Sequence, residues 1–369
     1  MPTHSPFSTG SAAAAATGDA ARAPGSVLTI GTFDGVHLGH QALVERAAAI
    51  AANVPASPGT RPSVIVLAFD PNPIEVLAPG NAPARLTTWA QRERHLLTAG
   101  ADEVVKLEPT RELLAMPAAM FVERLAREYR PAAIVEGADF RFGAKRAGDV
   151  ALMRDLGKSR GFEVDVVDQV EVPLTDHTIA PARSTVLRWL IERGRVGDAA
   201  CLLGRPYAMA GTVVSGDRRG RTIGFPTANL DSPCLAPADG VYAGRATLPD
   251  GRVLAAAISV GTKPTFGTHA RAIEAYLMDD AAGAVAGGRT GEWGRIEGLP
   301  EYAWELELEF LAFVRDQAKF ESLDALLAQM TRDCLRCREI ARAAKQVTCT
   351  HTHVNKAARP EPVLQKDTE

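Results

Sequence analysis

Gly31-Thr-Phe-Asp-Gly-Val-His-Leu-Gly-His40 lies between a β-type run, Val27-Leu-Thr-Ile30, and an Ala- and Leu-rich helical run, Gln41 to Ala52. A strand, a turn with three glycines and two histidines, and then a helix form a good place to hold phosphate. Glycines let the backbone approach an anion closely, and free N–H groups at the helix start face it. Imidazoles add donors that can follow charge as it develops during a reaction. The competing reading is a glycine-rich turn that happens to carry surface histidines.

Outward from this turn, strand-like and helix-like segments alternate. Strands are expected at Ser26–Ile30, Ser63–Phe69, Glu103–Leu107, Ala132–Glu136 and Glu163–Val167. Helices are expected at Gln41–Ala52, Thr88–Ala99, Pro117–Glu128 and Asp149–Arg160. This alternation implies an α/β, doubly wound parallel sheet with helices on both faces. Ligands bind such sheets beyond the carboxyl ends of the strands. Phe69-Asp-Pro-Asn-Pro73 and Gly137-Ala-Asp-Phe-Arg-Phe-Gly143 end two further strands, so three polar turns converge on one rim. A helical segment, Ser184 to Leu203, follows. Beyond Gly204 short apolar runs are broken by Gly, Pro and Asp: Tyr207–Val214, Tyr242–Leu248, Val253–Ser259, Ala272–Met278 and Glu305–Phe313. That texture implies an all-β second unit, an antiparallel barrel or sandwich. A long helix, Ser322 to Ala344 with Ser322 as N-cap, closes the ordered part.

The chain has 369 residues, which suggests two domains. Its 46% hydrophobic and 23% charged residues are those of a globular protein. A net charge of −3 leaves no electrostatic footprint for nucleic acid, and no apolar run is long enough to span a bilayer. Residues 1–25, rich in Ala, Ser and Gly, read as a disordered extension and not as a secretory signal. Residues 346–369 read as a disordered tail, and Ala281 to Pro300 as a flexible loop. Five sparse cysteines suggest reduced thiols and a cytoplasmic location. Cys334 and Cys337, with Cys349, His351 and His353, fit no zinc-ribbon or zinc-finger spacing. The sequence carries no signal of oligomeric state.

The motifs, taken in order, identify a family. His37-Leu-Gly-His40 is similar to the H-x-G-H signature of nucleotidyltransferases. Further along come Gly220-Arg-Thr-Ile-Gly-Phe-Pro-Thr-Ala-Asn229, Asp239-Gly-Val-Tyr242, Ser259-Val-Gly-Thr-Lys-Pro-Thr-Phe-Gly267 and Lys319-Phe-Glu-Ser322. These look like a riboflavin kinase module. From Ser26 to Ala344 the chain resembles the prokaryotic bifunctional riboflavin kinase/FAD synthetases. The resemblance implies an adenylyltransferase domain at 26–183, a helical linker at 184–203 and a barrel-shaped kinase domain at 204–345. It implies riboflavin, FMN and ATP as substrates, and Mg²⁺ with the ATP.

In the first half the resemblance implies adenylyl transfer from ATP to FMN, with release of pyrophosphate. The nucleophile is an already ionised phosphate oxygen, so positioning and charge neutralisation matter more than a base. His37 and His40 then act as donors to the triphosphate, with Gly31, Phe33 and Gly35 shaping the turn. Asp139 matches a nucleotide-contacting position, although the local pattern equally suits a cap, and Arg141 suits phosphate or a surface pair. Ser184, Thr185 and Arg188 match a second adenylyl motif; a capped helix start is the plainer reading. Ala182 and Arg183 depart from that motif. Asn72 stands where the family commonly has His, and it donates hydrogen bonds without carrying charge.

In the second half the implied reaction is phosphoryl transfer from ATP to the ribityl 5′-hydroxyl, with Glu274 as the base. On residue pattern alone Glu274 is an outward-facing charge on a strand. Thr227 and Asn229 supply oxygen ligands suited to Mg²⁺, or else form a turn after Pro226. Gly220, Arg221, Gly224 and Pro226 belong to a basic loop suited to cover phosphates. Gly261, Thr262, Pro264 and Thr265 would line the flavin, with Arg315 closing over it. Two alternatives stand beside this reading: a riboflavin kinase with a degenerate transferase half, and a non-enzymatic flavin-binding regulator.

Overall fold

A computed structural model describes residues 7–8, 25–54, 61–216, 223–262, 271–278 and 296–344. The first half comprises β1 (Phe7–Ser8), β2 (Ser26–Gly31), α1 (Leu38–Asn53), β3 (Val64–Phe69), α2 (Pro73–Leu77), α3 (Trp89–Thr98) and β4 (Glu103–Leu107). It continues with α4 (Arg111–Leu114), α5 (Ala118–Tyr129), β5 (Pro131–Gly137), the short pair β6 (Arg141–Phe142) and β7 (Gly148–Asp149), α6 (Val150–Arg160) and β8 (Glu163–Val167). The sheet order is β1-β4-β3-β2-β5-β8. β1 pairs antiparallel at the edge; the other five strands are parallel.

The strands are near-continuous apolar runs because both faces of the sheet are covered. Val27, Val64, Val66, Val104, Ala133 and Val135 pack against Val44, Ala47 and Ala51 of α1 and Leu96 of α3. The alternate residues Leu28, Ile30, Ile65, Leu67, Val105 and Ile134 pack against Phe121, Leu125 and Tyr129 of α5 and Met153 of α6. Each such large side chain contributes on the order of 2 kcal/mol when fully buried. The chain reverses its direction of travel between β2 and β5, which makes that crevice the switch point. There the two strands part. Their ladder is registered from Ser26 to Leu28, and further on the Ile30 N–H donates to Glu136 Oε1 at 2.7 Å.

After the hairpin of β9 (Glu171–Pro173) and β10 (Ile179–Pro181), the expected single helix is two: α7 (Ser184–Ile191) and α8 (Val196–Leu203). Gly194, with φ of 69°, makes the break, and a Cβ there would press on the Tyr242 hydroxyl. Six strands then close a barrel in the order β11 (Tyr207–Val214), β12 (Ala228–Asp231), β15 (Ala272–Met278), β14 (Val253–Gly261), β13 (Gly240–Thr247) and β16 (Glu305–Arg315). The barrel-or-sandwich expectation thus resolves to a barrel. Its interior, including Tyr207, Met209, Tyr242, Ile258, Ala275, Leu308 and Phe310, is continuous with Leu187, Leu190, Leu202 and Leu203 of α7 and α8.

The last helix, α9 (Leu323–Ala344), starts on the expected cap: the Ala325 N–H donates to Ser322 Oγ at 3.1 Å. It lies against β14, β13 and β16, where Cys334, Cys337 and Ala341 meet Ala243, Ala255, Tyr276 and Met278. Burial pushes both thiols up to about 12, which suits apolar packing. The extension apart from β1, the Cys349–His353 tail, and residues 279–295 lie outside the described residues, as do Gly220, Arg221, Pro264 and Thr265. No helix among the described residues is long and apolar enough to cross a membrane.

Candidate functional site

The turn after β2 is bent by positive φ at Phe33 (48°), Gly35 (85°) and Val36 (42°). Only the glycine adopts such a conformation freely; a non-glycine residue held there costs on the order of 1–3 kcal/mol and persists only where its surroundings over-determine it. They do so here. Buried Asp34 accepts from the N–H groups of Leu86 and Thr87 and from Thr87 Oγ1, and it ion-pairs with Arg188 Nη2 at 2.5 Å. The Gly35 N–H donates to Thr87 Oγ1 at 3.1 Å. Phe33 is buried, its ring edge-on to His40.

His37 is the N-cap of α1, so the helix starts at Leu38, earlier than the periodicity suggests. Its Nδ1 accepts from the His40 N–H at 3.3 Å. That bond leaves the ring proton on Nε2, free to be a donor elsewhere. The His40 ring stacks on it with centroids 3.7 Å apart. Burial lowers the His37 pKa to about 3, helped by Arg205 and Arg188. Burial also holds His40 well below its usual value, with His37, Arg92, Arg188 and Arg205 adding to the effect. His40 Nδ1 is shielded from solvent and has no hydrogen-bond partner among the described residues. The arrangement is two neutral imidazoles at a helix N-terminus, ringed by cations, with an orphaned ring nitrogen. It suits an incoming polyanion. Gly39 is required by close approach, since a Cβ would lie 2.9 Å from the Ala182 carbonyl and 3.2 Å from the His37 ring.

The rim gathers its neighbours unevenly. Ser184 is the first residue of α7 and does not cap it; its Oγ donates to the Asp34 carbonyl at 2.8 Å. Arg188 is spent on Asp34 and on the Ala84 carbonyl, so it braces the turn. Thr185 is exposed beside them. Asp139 is exposed and lies 3.5 Å from Arg183, which also donates to Gln169. Arg141 pairs with Asp149 at 3.0 Å, away from the turn. Asn72 caps α2: its Oδ1 accepts from the Ile74 N–H, and its own N–H donates to Glu75. Ala182, one of the departures, is buried in the apolar cluster shared with the barrel.

On the barrel, Asn229 of β12 and Glu274 of β15 are direct Cα partners, and Glu274 is also opposite Ser259 of β14. Residues opposite one another in a ladder present side chains on one face. That face is the outer one, shared with Tyr276 and Met278, while Ile273, Ala275 and Leu277 turn to the interior. Phe225 packs on Tyr276 with ring centroids 5.2 Å apart, which draws Gly224, Pro226 and Thr227 to the same region. The Gly216 backbone abuts Asn229, because a Cβ would fall on the amide side chain. Asn229 stands in a strand and not in a turn after Pro226, which removes the turn reading and leaves its amide oxygen available as a ligand. Asn and Asp disfavour strands locally, and pairing with β11 and β15 overrides that preference.

Gly261, with φ of 132°, ends β14 where a Cβ would meet the Asp239 carboxyl and Gln317 Nε2. Thr262 beside it is exposed. Arg271 pairs with Asp239 at 2.7 Å. Arg315 makes a two-pronged pair with Asp333 of α9, 2.7 Å at its closest, and its guanidinium lies 5.7 Å from the Phe320 ring centroid. It therefore ties α9 to β16.

Sequence reasoning missed Glu136, whose carboxyl is buried, pushed well above the usual range by burial, and bonded where β2 and β5 part. A glutamate in an otherwise apolar central strand was the available signal. It also missed Arg92 and Arg205, whose parts depend on contacts between elements far apart in sequence.

Comparison with known proteins finds a match to each half of the chain. The FAD synthetase family matches residues 19–179 and the riboflavin kinase family residues 203–341. The bifunctional riboflavin kinase/FMN adenylyltransferase of Escherichia coli K12 is 33% identical, covering 85% of this chain and 92% of that protein. The protein of the same name from Haemophilus influenzae is 32% identical over 84% of this chain and 92% of its own length. A crystal structure described as a macrolide-efflux protein from Streptococcus pneumoniae shares the fold, with a TM-score of 0.69 and 28% identity over 87% of this chain and 96% of that one. Two family matches in sequence order, and relatives aligned along both halves, place the chain in the bifunctional riboflavin kinase/FMN adenylyltransferase family.

Proposed function

We propose that the chain makes FMN from riboflavin on its barrel and FAD from FMN on the rim of its parallel sheet, spending one ATP at each site. We divide the work at the linker: residues 26–183 carry adenylyl transfer, and residues 204–345 carry phosphoryl transfer. The observation that carries this reading is the coexistence of two chemically distinct stations: stacked neutral His37 and His40 at a helix start, and the Asn229–Glu274 cross-strand pair.

On the barrel, Glu274 accepts the proton of the ribityl 5′-hydroxyl as its oxygen attacks the γ-phosphorus, and ADP leaves. Both families use ATP, typically with a divalent metal. We assign Mg²⁺ to the Thr227 hydroxyl and the Asn229 amide oxygen. Hard oxygen donors in a set with few carboxylates fit an ion that keeps waters and binds through nucleotide phosphates. Bound there, Mg²⁺ would neutralise phosphate charge. The Gly216 backbone against Asn229 keeps that amide in place.

On the sheet rim, an FMN phosphate oxygen attacks the α-phosphorus of ATP and pyrophosphate leaves. His37 Nε2–H and His40 donate to the phosphates, and the α1 N-terminus adds its backbone N–H groups. Gly31 and Gly35 let the turn approach the nucleotide. Arg188 and Ser184 hold that turn through Asp34, while Asp139 and Arg183 edge its mouth. We place the enzyme in the cytoplasm, where free thiols such as the buried Cys234, Cys334 and Cys337 persist. Chromatography of riboflavin, FMN and FAD after incubation with Mg·ATP tests the reading. Both FMN and FAD should appear, and riboflavin left unchanged contradicts it.

A further inference from the structure

We propose that Arg205, at the junction between α8 and the first barrel strand, is a positioning residue for adenylyl transfer. It clamps the Gly35–Val36 backbone and so holds His37 at the rim. The inference rests on reading the 31–40 turn as the adenylyl-transfer site.

The geometry is specific. Arg205 Nη2 donates to the Gly35 carbonyl at 2.7 Å and Nη1 to the Val36 carbonyl at 3.0 Å. Nη1 also reaches the Leu203 carbonyl at 3.2 Å, and Nε donates to His95 Nε2 at 3.2 Å. These partners are all uncharged. Gln41 Nε2 binds the same two carbonyls, Val36 at 2.9 Å and Leu203 at 2.8 Å. Two side chains and two carbonyls thus join the turn of one half to the entry of the other. The clamp falls where it is most needed. Val36 is β-branched, a poor residue for positive φ, and the next residue is His37.

A guanidinium is a rigid planar fork that fixes two adjacent carbonyls in one geometry, whereas a lysine's single nitrogen on a flexible stem holds them less firmly. The cation also acts on the imidazoles. His37 faces Arg205 from the junction, Arg188 from α7 and His40 from its own helix. Arg205 itself faces His95 and Arg94 of α3 and Glu307 and Glu309 of β16. Removing its charge relieves repulsion on a protonated His37, so the His37 pKa rises.

The test uses the full chain, measuring both activities in Arg205→Gln and Arg205→Lys across pH. In Arg205→Gln, kcat for FAD formation should fall about 10- to 100-fold while riboflavin phosphorylation changes less than about twofold, because small misplacements at a reacting centre are costly. The His37 pKa, read from its ring proton resonances, should move up. Arg205→Lys keeps the charge and loses the rigid fork, so kcat should fall with that pKa unmoved. FAD formation at the wild-type rate overturns the proposal, as does an equal fall in both activities, or a fall in Arg205→Gln with the His37 pKa unmoved. If Arg205→Gln does not fold, Arg205→Lys decides alone: a loss selective for FAD formation supports the clamp, and a wild-type rate overturns it. His37→Ala run in parallel separates the two readings. If it abolishes FAD formation while Arg205→Gln leaves it intact, only the clamp is wrong; if it leaves FAD formation intact, the site assignment is wrong.

Discussion

Asn229 and Glu274 stand directly opposite each other on β12 and β15, on the outer face of the barrel. The ladder places a carboxylate beside a hard-oxygen amide without help from any loop. If Glu274 is the base for the ribityl hydroxyl, Glu274→Ala should lower riboflavin phosphorylation by at least about 100-fold, the usual range for a general base. FMN adenylylation should be unchanged. Glu274→Gln should behave like Glu274→Ala, because the amide keeps the shape and cannot take the proton. Steady-state rates of each reaction check this.

His37→Ala and His40→Ala should each lower FAD formation by about 100-fold and leave riboflavin phosphorylation intact, as removal of an electrostatic donor does. His37→Ala also removes the side-chain cap of α1, so its melting temperature is to be compared with that of Thr110→Ala, which loses the α4 cap outside the site. Both should lose about 1 kcal/mol of stability from the cap. Only His37→Ala should lose FAD formation to the extent above.

The buried histidine also sets an acid response. His37 has its pKa lowered to about 3 in the folded protein, against 6.5 ordinarily. Between those values the unfolded chain binds more protons at this residue, so stability rises with pH. The contribution of neutral His37 is complete above about pH 6.5 and is lost as pH falls toward 3. Urea unfolding from pH 7 to pH 4 should show a smaller drop in His37→Gln than in the wild type. Equal drops would contradict the pKa assignment.

Two glycines divide the activities sterically. Gly39→Ala brings a methyl to 2.9 Å from the Ala182 carbonyl and 3.2 Å from the His37 ring, so it should impair FAD formation alone. Gly216→Ala drives a methyl into the Asn229 side chain, so it should raise KM for Mg·ATP in riboflavin phosphorylation alone. Kinetics of both reactions in each variant check the separation.

Much of this was legible in the residues. The parallel strands could be read because two covered faces demand near-continuous apolar runs such as Val27–Ile30 and Val64–Phe69. The His37–His40 turn could be read because glycine, imidazole and a helix start form a local pattern. Strand β12 could not, since Asn229 and Asp231 argue against a strand until β11 and β15 supply partners. Nor could the employment of Arg188 by Asp34, Arg315 by Asp333, or Arg205 by the Gly35 and Val36 carbonyls. An arginine's partner lies wherever the fold brings an acceptor, and these acceptors are 18 to 170 residues away. The departures at Asn72, Ala182 and Arg183 read differently in place. Asn72 caps α2, Ala182 is core, and Arg183 reaches Asp139.

The central claim is that the sheet rim is a working adenylyltransferase joined to a working kinase. Incubating the purified chain with FMN and Mg·ATP, with no riboflavin present, tests it most directly. The account predicts FAD and pyrophosphate accumulating in equal amounts. FMN left unchanged, in a preparation that still phosphorylates riboflavin, would contradict it.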